Sequence, residues 1–265
     1  MGKNGAIVTG ELETVEIFGM RIHAVREAAA HAIVDRWASA PHDRLRYVVT
    51  PNVQHTMVFQ EHAGFREAYS AASLVIADGW PLVASSRLLG SPLPERVTGS
   101  DLLPALFDAA RPERPRSVFL LGAAPGVGEA AARAIHARWP NVRVVGTYSP
   151  PLGFERKEEE NRSIIARINA VEPDLLVVGL GAPKQELWTY RFQSELRAKV
   201  ALCLGGTIDF MAGTTKRAPL WVQKARLEWL HRALSEPKRL GRRYAEHAVF
   251  FPALVARTWL ARKFT

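Results

Sequence analysis

The chain has 265 residues, is 48% hydrophobic and carries a single cysteine, Cys203. That suits one large α/β domain with an appendage and rules out an internal disulfide framework, as in a reducing cytoplasm. The formal charge of +9 is confined to residues 214–265, which hold 12 Lys/Arg and 3 Asp/Glu; residues 1–213 are balanced. A tail of this kind expects an anionic partner: membrane surface, nucleic acid or phosphate.

The opening "MGKNGAIVTGELETVEIF" carries acids and no long apolar run, so no signal peptide is expected. "LRYVVT" (45–50) reads as a strand, and "PNVQHTMVFQEH" turns helical after it. "ASLVIA" (72–77) is the next strand and ends on Asp78-Gly79. "ARPERPRS" (110–117) reads as a link between two halves of a sheet. "SVFLLG" (117–122) precedes a strong helix former, "AAPGVGEAAARAIHARW". "VRVVGTY" (142–148), "DLLVVGLG" (174–181) and "KVALCLGG" (199–206) complete the strands. Continuous β-branched runs separated by helices predict a mainly parallel, Rossmann-like sheet covered on both faces. Two units are expected: a catalytic α/β domain over 1–213 and a basic aromatic appendage over 214–265.

In such sheets ligands bind beyond the carboxyl ends of the strands. Those ends carry Thr50-Pro51-Asn52, Asp78-Gly79, Gly122 to Gly128, Gly146 to Tyr148, Gly179 to Gln185 and Gly205 to Asp209. Asn52, Gly79, Tyr148 and Lys184 join the substrate-binding candidates on that placement. Gly122, Gly126 and Gly128 follow G-x-x-x-G-x-G, which lets backbone N–H groups approach a phosphate or simply lets helix and sheet pack closely. The order differs from that of dinucleotide enzymes, and no acid ends the following strand, which argues against NAD. Asp78 reads as a helix cap or as a general base, Gln185 as a donor to a substrate oxygen, and Asp209 as a sugar-hydroxyl ligand or a cap. No D-x-D, H-E-x-x-H or Cys/His spacing is present, so neither metal nor cofactor is expected; a P-loop and a G-x-S-x-G elbow are missing too.

The tail mixes bases with Trp221, Trp229, Tyr244, Phe250, Phe251 and Trp259. It reads as an amphipathic helix packed on the body, or as an interfacial helix facing anionic lipid. Its most apolar stretch, "AVFFPALVARTWLA", is too short to span a bilayer.

Taken together, "VVTPNVQH", "ADGWPLVASSRLLGSPLPERVTGSDLL", "LLGAAPGVGEAA", "GTYSPPLGF", "PDLLVVGLGAPKQE", "GGTIDFMAGTTKRAP" and "EWLHRALSEPKRLGRRY" resemble the WecG/TagA/CpsF family of bacterial glycosyltransferases. The resemblance implies inverting, metal-independent transfer of a hexose or N-acetylhexosamine-type sugar from a UDP-sugar. The acceptor would be a polyprenyl-diphosphate-linked saccharide at the inner face of the cell membrane, in exopolysaccharide, teichoic acid or related biosynthesis. It implies Asp78 as base, Thr50 and Gln185 as catalytic partners, and Asp209, Arg232, Arg239 and Arg242 as substrate ligands. It implies peripheral membrane association through 214–265 and leaves a homo-oligomer open. The stretch "DGW" with Pro81 departs from other members' short apolar pair and marks the region for acceptor choice. Two other classes stand beside it: an NAD-dependent oxidoreductase, and a nucleic-acid-binding protein using the tail, whose aromatics fall in apolar helical stripes and not on a stacking platform.

Overall fold

The computed structural model describes residues 12–215, 218–219, 222 and 237–263, the side chains of 237–240 and 242–245 excepted. Six parallel strands form one sheet: β3 (Arg46–Val49), β4 (Leu74–Val75), β5 (Arg116–Gly122), β6 (Val142–Tyr148), β7 (Leu175–Gly179) and β8 (Val200–Cys203). Their order across the sheet is β4-β3-β8-β7-β5-β6. The expected parallel α/β architecture is therefore present.

Each strand sends alternate side chains to opposite faces, and both sets are apolar. Tyr47, Val49, Val75, Phe119, Leu121, Leu176, Val178, Ala201 and Cys203 face one core. That core is completed by α2 (Val53–Glu61), α3 (Ala63–Ser70), α4 (Trp80–Leu88), α7 (Glu158–Asn169), α8 (Lys184–Phe192) and α10 (Pro237–Lys263). Val48, Leu74, Val118, Leu120, Leu175, Val177, Val200 and Leu202 face the other, against α1 (Glu27–Ser39), α5 (Gly99–Asp108), α6 (Val127–Arg138) and α9 (Thr207–Ala212). This double coverage is why the strands read as unbroken apolar runs.

Three details depart from the sequence reading. An antiparallel hairpin, β1 (Thr14–Ile17) and β2 (Met20–His23), precedes α1, where the sequence predicts no strand. Its two-residue turn, Phe18-Gly19, has positive φ at both positions, as tight hairpins require. The edge strand predicted over 72–77 keeps ladder geometry only at Leu74–Val75, though Ile76 N–H still donates to Val49 O at 3.0 Å. The final strand stops at Cys203, because Gly205 turns the chain with φ +55°.

Candidate functional site

The register puts the strand ends in one row. Val49 lies opposite both Val75 and Cys203, Val178 opposite Cys203, and Gly122 opposite Gly179. The chain leaves β5 toward β6 on one side and β7 toward β8 on the other, so the loops part between Gly122 and Gly179. Such a parting opens a crevice at the carboxyl edge.

On the β3/β4 side, Thr50 is buried and its hydroxyl donates to Cys203 O at 3.3 Å. Asn52 caps α2: its Oδ1 accepts from Gln54 N–H at 3.0 Å and His55 N–H at 3.4 Å. Asp78 N–H donates to Pro51 O at 2.8 Å, and a Cβ on Gly79 would stand 3.4 Å from Asn52 Cβ. The Asp78-Gly79 turn therefore rests directly on Pro51-Asn52. Pro81 occupies the first turn of α4, where its missing N–H costs nothing.

The segment "PLPERVTGSDL" closes the other side. Val97 N–H donates to Ala77 O at 2.9 Å, next to Asp78. Thr98 then caps α5 by accepting from Asp101 N–H at 3.1 Å. Gly99 lets α5 sit close to Leu204, since a Cβ there would come within 2.7 Å of Leu204 Cδ2 and force that side chain to shift. This stretch is among those that carry the family resemblance, and sequence alone assigns its residues no role. Their signal was the capping pattern T-x-x-D before an apolar run.

At the crevice, Gly122 and Gly126 serve different needs. Gly122 has φ +114°, and a Cβ would meet Gly179 O at 2.5 Å, so packing alone demands glycine. Gly126 has φ +83° and open space around it, and it begins α6 with no side-chain cap. Its glycine is required by backbone conformation, and the first N–H groups of α6 lack a capping side chain.

Gln185 is buried, and both ends of its amide are committed. Nε2 donates to Glu186 Oε1 at 2.8 Å, and Oε1 accepts from Gly205 N–H at 3.1 Å. Lys184 is half exposed and reaches Glu155 at 4.0 Å. Tyr148 lies further out, on the edge strand β6. Its hydroxyl donates to Glu160 Oε1 at 2.5 Å, a bond that raises the phenol's pKa. Asp209 sits in the first turn of α9, with its backbone carbonyl accepting from Thr214 N–H at 3.1 Å. Cys203 is buried under this floor, and burial holds its thiol protonated. Arg232 lies outside the described residues, as do the side chains of Arg239 and Arg242 on α10.

The geometry thus brings Thr50, Asn52, Asp78, Gly79 and Gln185 around the β3–β8 seam. It sets Gly122 and Gly126 at the neighbouring switch point and leaves Tyr148 bound to α7. Among the described residues, no three His, Cys, Asp or Glu side chains gather as a metal site.

The family model described as "Glycosyl transferase WecG/TagA/CpsF family" matches residues 15–265. The chain belongs to the WecG/TagA/CpsF family. Among its relatives is the N-acetylglucosaminyldiphosphoundecaprenol N-acetyl-beta-D-mannosaminyltransferase of Staphylococcus aureus strain MRSA252, 35% identical over 196 residues, 74% of each chain. Proteins of the same name from strains MW2 and NCTC 8325 / PS 47 are 34% identical over the same share. Like other WecG/TagA/CpsF members, the protein is a glycosyltransferase.

Proposed function

We propose that the protein transfers a hexose or N-acetylhexosamine-type sugar from a UDP-sugar to a polyprenyl-diphosphate-linked saccharide, with inversion and without a metal. The observation that carries this reading is the Asp78-Gly79 turn resting on Pro51-Asn52 at the carboxyl edge of a parallel sheet. The name of the Staphylococcus aureus relatives supports the lipid-diphosphate acceptor.

Asp78 takes the proton from the acceptor hydroxyl as that oxygen attacks the anomeric carbon. The bond from that carbon to the UDP oxygen breaks on the opposite face, and UDP leaves with the electron pair. A positioned base contributes about 10²–10⁴-fold. The departing diphosphate is met by N–H groups at the uncapped start of α6 and by tail guanidinium groups, whose fork suits phosphate. Metal independence rests on the missing D-x-D pair.

No described helix is long and apolar enough to cross a membrane. Helix α10 nevertheless shows solvent Val249, Trp259 and Leu260 beside exposed Arg257 and Lys263. That pattern supports peripheral docking on an anionic surface. The test is a screen of UDP-sugars for UDP release with a lipid-diphosphate N-acetylglucosamine acceptor, with and without EDTA. Acceptor-dependent release that survives EDTA is expected. Release independent of acceptor, or abolished by the chelator, contradicts the reading.

A further inference from the structure

Beneath the rim lies a buried polar chain that the transfer chemistry above does not use. His55, 7% exposed in its side chain, points Nε2 at Glu186 Oε1 over 3.2 Å, and the Glu186 side chain is fully buried. The same Oε1 accepts from Gln185 Nε2 at 2.8 Å, and Gln185 Oε1 accepts from Gly205 N–H at 3.1 Å. At the other end, His55 Nδ1 lies 2.8 Å from Asn52 Oδ1 and 3.3 Å from Asn52 N. In the tautomer with the proton on Nε2, His55 donates to that carboxylate oxygen while Nδ1 accepts from Asn52 N–H.

We infer that His55 and Glu186 are positioning residues of the transferase: one buried carboxylate oxygen fixes the turns after β3, β7 and β8 relative to one another. Asn52 belongs to the first turn, Gln185 to the helix after the second, and Gly205 to the third. Asp78 leans on the first through its hydrogen bond to Pro51 O. Neither side chain reaches the rim, so their effect on chemistry passes through the backbone of these turns. Phe65 and Tyr69 flank the imidazole, with ring centroids 6.1 and 6.4 Å away, and exclude water from the pair. Glu186 Oε2 is buried without a partner among the described residues, so Oε1 bears the whole link. A fully buried carboxylate with one idle oxygen is a costly way to hold a fold together. Its link through His55 and Asn52 to the turn that Asp78 leans on explains its presence better than packing does.

This inference rests on the proposed role of Asp78. The test measures kcat and donor KM with UDP-N-acetylmannosamine and a lipid-diphosphate N-acetylglucosamine acceptor. The enzymes compared are wild type, His55→Ala, His55→Gln, Glu186→Gln and Asp78→Asn, each checked for folding by circular dichroism. Misplacing a reacting group by an ångström costs on the order of 10²-fold. His55→Ala and Glu186→Gln are therefore expected to lose about 10–100-fold in kcat, with donor KM changed less than about threefold. His55→Gln, whose amide N–H can reach Glu186 as Nε2 does, is expected to recover most of that loss. The double variant His55→Ala/Glu186→Gln should lose no more than the worse single one, because the two act as a unit. If His55→Ala fails to fold, His55→Gln and Glu186→Gln carry the comparison. Folded variants with wild-type kcat, or a loss in KM alone, overturn the inference while leaving Asp78 untouched. Wild-type turnover by Asp78→Asn overturns the role of Asp78 and the inference with it.

Discussion

At the scale of single residues, the site depends on a few positions where no other side chain fits. Gly122 is the clearest. It combines a left-handed backbone with a carbonyl oxygen 2.5 Å from where a Cβ would stand. The obstacle is the backbone of β7, which cannot rotate away. Gly122→Ala should therefore cost about 2 kcal/mol or more in urea unfolding. Gly126→Ala meets only the conformational penalty and should cost about 1 kcal/mol. Equal losses at the two positions would refute the packing account of Gly122. Residue spacing made these glycines visible but could not divide packing from conformation, since G-x-x-x-G-x-G serves both. Gln185 shows the opposite limit. Its motif was legible, yet the engagement of both amide ends became visible only with Glu186 and Gly205 in place.

At the scale of elements, the hairpin and the last helix secure the flank of the sheet. His23, at the end of β2, accepts from Val75 N–H through Nδ1 at 2.9 Å. Burial, with a smaller contribution from nearby Arg21, depresses its pKa below the ordinary 6.5. The folded state thus prefers the neutral ring, and the unfolded chain binds the proton more readily. Its contribution is present above about pH 6.5 and declines as pH falls through the lowered folded value. Thermal unfolding of wild type and His23→Gln should differ most at pH 8 and converge toward pH 5. Divergence toward acid would give the linkage the wrong sign.

Helix α10 is held at its far end by Arg262. That residue donates to Leu89 O, to Ser91 Oγ at 3.0 Å and to Glu16 O at 2.7 Å. Phe251 packs edge-on against Phe18 at 5.6 Å. Because α4 begins at the Asp78-Gly79 turn and ends beside Leu89, one helix connects this clamp to the site. Arg262→Ala should speed amide exchange along residues 251–263 and leave β5 and β7 unchanged, since charge-assisted bonds contribute about 1.5–3 kcal/mol. Uniform acceleration across the sheet would show that the clamp supports the whole fold. The hairpin escaped the sequence reading because its alternation spans only four residues per strand, and Phe18-Gly19 is not one of the strong turn pairs.

At the scale of the whole molecule, the parallel sheet was legible because every central strand is buried on both faces, which leaves continuous apolar runs. Strand order was not legible, since pairings such as β3 with β8 join segments more than 150 residues apart. The candidate site was legible as a set of strand ends and turns. Its inner support was not: His55 reads as an ordinary helix residue until Glu186 is brought to it across 131 positions. The charge separation was legible from the start, with a balanced body and a basic tail that continues into α10. That division fits the proposed transfer from a soluble donor to an acceptor fixed in a membrane.

The central claim is that Asp78 is the base at this rim. Steady-state UDP release by Asp78→Asn, measured with a lipid-diphosphate acceptor beside UDP binding by calorimetry, tests it most directly. The account predicts a fall in kcat of about 10²–10⁴-fold with UDP affinity unchanged. Normal turnover at saturating substrate, with UDP binding lost, would contradict it.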